Sequence, residues 1–101
     1  MTDDDAWNAV KHSLPVGTHV WCCVKEHRPF GVFATIENVP FDGLIQITDF
    51  KDVGRMTPSE YPPLGSAVEA VVLGFKEHGE QIWLGTKPSQ LGKTANADAS
   101  R

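Results

Sequence analysis

Phe30, Phe33, Trp21 and Trp83 occupy positions from which aromatic rings can meet a planar ligand. Phe33 lies between Val32 and Ala34. In an extended segment whose apolar face is Val32, Ala34 and Ile36, its ring therefore points the other way, while Phe30 stands at the loop before it. An open ring in a groove can stack on an unpaired nucleobase, worth about 1–3 kcal/mol per base. Lys25 and Arg28 precede this pair and Lys76 stands at a later turn, so all three cations can meet phosphates. Each residue also has a plain structural reading. Phe33 can close a barrel mouth or pair across strands. Trp21 and Trp83, outward by the same alternation, can extend a stacking platform or pack under an N-terminal helix through Trp7. The cations can be ordinary solvated charges. Lys51 and Arg55 lie on a long connection where Asp49 and Asp52 would repel a phosphate.

Other chemistries lack their residues. No Ser-His-Asp set, glycine-rich phosphate loop or His-Glu-x-x-His helix is present, and Asp3-Asp4-Asp5 reads as a solvated, helix-capping run. No catalytic residue is assigned and a non-enzymatic role is expected. His12, His19, His27 and His78 are scattered, and adjacent Cys22 and Cys23 do not form a Cys-x-x-Cys pair. Neither a metal nor a cofactor is expected. Alternation sends the two cysteine side chains to opposite faces, which disfavours a bond between them.

The elements that must position the aromatics follow from periodicity. Ala6, Trp7, Val10 and Leu14 recur at helical intervals after Asp5, predicting a short helix ended by Pro15. From Gly17 the period becomes two, with Val20, Cys22 and Val24 on one face and His19, Trp21, Cys23 and Lys25 on the other. His27-Arg28-Pro29 is expected to break this strand, and Phe30 to Ile36 to return as the second arm of a hairpin. Asn38 to Gly43 carries turn residues, and Leu44 to Ile47 reads as a third strand. Thr48 to Leu64, with Gly54, Pro58, Pro62 and Pro63, reads as a long irregular connection. Val68 to Phe75 and Gln81 to Thr86 form a second hairpin around Gly79, with Ile82 and Leu84 inward and Gln81 and Trp83 outward. Five short strands without βαβ spacing predict an all-β fold, a small closed barrel that leaves no free sheet edge.

Five blocks carry a family resemblance: Val16 to Val24, Phe30-Gly31-Val32-Phe33-Ala34, Gly43-Leu44-Ile45-Gln46-Ile47-Thr48-Asp49, Leu64 to Val68, and Ile82-Trp83-Leu84-Gly85-Thr86-Lys87. In this order and spacing they resemble the S1 RNA-binding domain family over about residues 15–88. The resemblance implies a five-stranded OB-fold barrel that binds single-stranded RNA across its second and third strands, flanked by the loops joining strands one to two and four to five. Phe30 and Phe33 match the family's two aromatic contacts. Gln46 replaces the usual histidine, keeping hydrogen-bonding capacity but losing most stacking. Lys76 stands for a common aspartate and Gln81 for a common arginine, so a phosphate clamp is lost while a positive charge returns nearby.

The expected organisation is an acidic segment and short helix over residues 1–14, an S1-like domain over 15–88 and a disordered tail over 89–101. The chain as a whole reads as a small, stand-alone, bacterial-type protein. The 101 residues allow one domain, without an apolar run long enough to span a membrane or a basic signal-peptide start. A cytoplasmic monomer that binds single-stranded RNA, alongside ribosomal or RNA-processing proteins, is the reading. The net charge of −4, still −3 over Val16 to Lys87, suits an alternative: a protein-interaction barrel that has lost most RNA affinity.

Overall fold

The inward set Val20, Cys22 and Val24 builds β1 (His19–Arg28), which opens a closed five-stranded barrel. A computed structural model describes residues 3–92. The tail expected at the C-terminus lies, from residue 93 onward, outside the described residues. Helix α1 (Asp3–Ser13) precedes the barrel, followed by β1, β2 (Gly31–Ile36), β3 (Asp42–Gln46), β4 (Ala67–Lys76) and β5 (Gln81–Gly85). The strand order is β1-β2-β3-β5-β4. Every pairing is antiparallel except β3 with β5, the parallel contact that closes the cylinder.

Several boundaries differ from expectation. β1 does not stop before His27: His27 and Arg28 pair with Val32 and Gly31, leaving Pro29 and Phe30 as a two-residue loop. A bulge between Val24 and Glu26 absorbs the extra residue, so the strand bends and stays paired. Pro29, which lacks an N–H, falls in the loop and takes no donor from the ladder. Ile47 leaves the third strand early and opens a 3₁₀ turn, Ile47–Asp49. A second 3₁₀ turn, Pro58–Glu60, organises the long connection through a capping box between Thr57 and Glu60.

The interior is lined by residues with no solvent exposure, among them Val32, Ile45, Val72, Ile82 and Leu84. Each end of the cylinder is then sealed by an aromatic. At one end Trp7 of α1, 3% exposed, stands edge-on to Phe41 at 5.0 Å and to Phe75 at 6.0 Å, while its indole donates to Glu77 Oε1 at 2.7 Å. The helix therefore packs through Phe41 and Phe75, and neither Trp21 nor Trp83 lies beneath it. At the other end the long connection lays Tyr61 over Val24 and Val32, with Phe50 and Met56 beside it. The Tyr61 hydroxyl donates to the carbonyl of Arg28 at 2.8 Å, tying that connection to the β1–β2 loop.

Candidate nucleic-acid interface

Pairing across three strands sets one outward row. Phe33 faces Leu44 across β2 and β3, and Leu44 faces Trp83 across β3 and β5. The residues alternating with them, Val32, Ile45 and Leu84, are fully buried inside, so the row stands on the outer wall. Leu44 is nonetheless only 5% exposed between its two aromatic neighbours. Phe33 is half-buried and Phe30 is 51% exposed. Their rings meet edge to face, 5.9 Å between centroids and 84° between planes. Both aromatics expected at this face are thus outside the barrel and beside one another. Leu44, the apolar floor between Phe33 and Trp83, was not singled out from sequence, although strict alternation with Ile45 already placed it outward.

Trp83 is held rather than free. Its indole N–H donates to Asp49 Oδ2 at 2.9 Å, and an added Cβ on Gly74 would lie 3.2 Å from the ring. Asp49, 7% exposed, also accepts from Gln90 Nε2 at 3.1 Å, and its carbonyl accepts from the Thr86 amide at 2.9 Å. Lys76 Nζ stands 5.7 Å from the centroid of the Trp83 ring, a cation–π arrangement. Gln81 pairs with Lys76 at the same end of β4 and β5. Gln46 pairs with Gly31, the residue after Phe30, at the end of β3. A Cβ on Gly31 would lie 2.4 Å from the Ile45 carbonyl oxygen, so only glycine lets β2 and β3 approach this closely behind the aromatic pair.

The cations divide into two groups. Lys25 Nζ bonds Asp42 Oδ1 at 2.9 Å, and Arg28 pairs with Glu26, so both side chains at the first hairpin already meet carboxylates. Exposed pairs of this kind contribute little to stability and exchange readily. Lys76 forms no ion pair among the described residues. Trp21 stands apart from the stacking row. It is 65% exposed and faces Glu69 on β4, at the far end of β1, where a hollow is lined by Cys22, Cys23, Thr35, Glu37 and Ala67. The arrangement joins Phe30, Phe33, Trp83, Lys76, Gln46 and Gln81 on one side, and leaves Trp21 out.

No protein-family model matches the chain. It is 35% identical to the small ribosomal subunit protein bS1 of Rhizobium meliloti over 99% of the chain and 17% of that protein, and 31% identical to bS1 of Chlamydia muridarum over 86% of the chain and 15% of that protein. The chain thus spans about a sixth of the length of the curated relatives it matches. Among solved structures, GSP13 from Bacillus subtilis superposes with a TM-score of 0.66 at 19% identity, covering 87% of this chain and 72% of that one. A chain from the a/eIF2alpha-aDim2p-rRNA complex of Pyrococcus horikoshii superposes at 0.65 and 19% identity, over 84% of this chain and 49% of that one.

Proposed function

The chain belongs to the S1 domain family, an OB-fold family, and on that premise we propose that it binds single-stranded RNA across the outer wall of β2, β3 and β5. The edge-to-face pair of Phe30 and Phe33, open to solvent beside the Phe33–Leu44–Trp83 row, carries the proposal. Unpaired bases stack on Phe30 and Phe33, because every base offers a π face to an open ring. Trp83 and Leu44 supply a fixed apolar floor, and Gln46 and Gln81 supply hydrogen bonds to base edges or sugars. Lys76, together with Lys25 and Arg28 once they exchange a carboxylate for a phosphate, holds the backbone. Residues 15–88 form the binding module, working as a non-enzymatic RNA adaptor at the ribosome or with RNA-processing proteins of the cytoplasm.

Titration of oligouridylate against tryptophan fluorescence at several salt concentrations tests this reading. Saturable binding is expected, weakened in Phe33→Ala by the loss of about one stacked base, roughly 1–3 kcal/mol. The three groove cations contribute about −2 to the slope of log K against log salt, at about 0.7 per phosphate. A wild-type chain that gives no saturable signal, or a Phe33→Ala variant that binds as well as wild type, overturns the assignment.

A second reading rests on Trp21. An indole 65% exposed, away from the stacking row, suits a protein contact. Capture of partners from lysate with and without ribonuclease separates the two: partners that survive digestion favour protein docking, and partners that vanish exclude it.

A further inference from the structure

Beyond the end of β3 lies an open hollow of about 260 Å³ lined by Ile47, Thr48, Lys51, Gly54, Arg55 and Met56. We propose that this hollow is a phosphate subsite, which takes a backbone phosphate of the same RNA strand whose bases stack on Phe30 and Phe33. The inference rests on the stacking reading above and lengthens its track by one contact.

Three observations converge on it. The first is continuity: the Ile47 amide donates to the Phe30 carbonyl at 2.8 Å, so the wall of the hollow is bonded to the loop that carries the outer aromatic. The second is charge. Two of the six lining residues are cations and none is acidic, in a chain whose overall charge is −4. Arg55 is exposed and forms no ion pair among the described residues, so its guanidinium fork is free to take two phosphate oxygens. Lys51 is oriented by Glu60, and that carboxylate is anchored in turn by the Thr57 amide at 3.1 Å. An exposed lysine paired this way keeps donors for a second anion. The third is hydrogen-bonding capacity: the exposed Thr48 lines the same hollow and can donate its hydroxyl to phosphate oxygen. Asp49 and Asp52, which from sequence stood to repel a phosphate here, do not line the hollow. Asp49 is committed to Trp83 and Gln90, and Asp52 to the amide and hydroxyl of Ser89.

Salt dependence separates this subsite from the stacking groove. If Lys51 and Arg55 both meet phosphates, five cations engage and the oligouridylate slope steepens from about −2 to about −3.5. The Lys51→Gln, Arg55→Gln double variant should return it to about −2. Lys87→Gln, which removes a charge outside both sites, should leave the wild-type slope, and Phe33→Ala should weaken binding without changing it. Unaltered far-ultraviolet circular dichroism and thermal midpoint confirm that the double variant is folded. A double variant with the wild-type slope overturns the subsite while stacking stands. Independently, inorganic pyrophosphate should shift the amide resonances of Thr48, Gly54 and Arg55 saturably. No saturable shift in the wild-type chain overturns the subsite whatever the RNA titration shows. A shift in a chain that ignores oligouridylate overturns the placement on an RNA strand and assigns the hollow to free phosphate.

Discussion

The indole of Trp83 donates to the buried carboxylate of Asp49 at 2.9 Å, a bond that joins β5 to the turn following β3 across 34 residues. Asp49 accepts Gln90 with its other oxygen, so one side chain orders the floor of the stacking row and the segment after β5 together. Asp49→Ala leaves two part-buried donors without an acceptor, at a cost of about 1–3 kcal/mol. For a domain of this size that lowers the thermal midpoint by several degrees. Asp49→Asn keeps one acceptor and should fall between. Thermal unfolding followed by tryptophan emission measures both, and a midpoint unchanged in Asp49→Ala refutes the role.

Docking of the N-terminal helix is expected to weaken in acid. Hydrogen bonds from the Lys11 ammonium and then the Trp7 indole hold the Glu77 carboxyl below its ordinary value of 4.5. A carboxylate depressed in the folded state stabilises fully above its unfolded pKa and loses that contribution as pH falls through the folded one. The contribution is therefore intact above about pH 4.5 and fades below it. Because Glu77 is exposed the effect is modest, and Glu77→Gln should flatten the acid limb of a stability profile. Parallel acid limbs in wild type and variant would remove Glu77 from the account.

The neighbouring cysteines should differ sharply in reactivity. Cys22 points into the barrel, and burial, with a smaller effect from Cys23, pushes its thiol up to about 11. Cys23 points outward and is exposed. Only the thiolate attacks, so iodoacetamide near neutral pH should add one group, on Cys23, in the folded chain. The second adduct should require denaturant. Peptide mapping by mass spectrometry decides, and rapid labelling of Cys22 under native conditions contradicts the burial.

Gly31 allows β2 to approach β3 behind the stacking pair. A methyl group there meets the Ile45 carbonyl at 2.4 Å, and backbone cannot rotate aside as a side chain does. Gly31→Ala is expected to cost at least about 1–3 kcal/mol and to move Phe30 relative to Phe33. At Gly43 the nearest atom is the end of a side chain, Leu84 Cδ1, at 2.5 Å, so Gly43→Ala should be milder. Chemical denaturation of the two variants gives the order, and equal stability would show that β3 yields at Ile45.

Much of this barrel was legible along the chain because a strand's inward and outward faces are a local property with a period of two. Alternation alone put Phe33 and Trp83 outside, Val32, Ile82 and Leu84 inside, and Cys22 and Cys23 on opposite walls, as the burial of these residues bears out. The five blocks likewise implied a five-stranded OB barrel, and the observed barrel is closed and five-stranded. The extension of β1 through Arg28 was hidden, since a bulge restores pairing after a residue that breaks the alternation.

What only the closed fold decided are pairings between residues far apart in sequence. Trp7 meeting Phe41, Phe75 and Glu77, Lys25 meeting Asp42, Trp83 meeting Asp49, and Ile47 meeting the Phe30 carbonyl all depend on how the ends of the cylinder are sealed. Periodicity tells which way a side chain points, because sterics act between neighbouring residues. The partner it finds is set by register and closure, which bring together segments that share no local pattern.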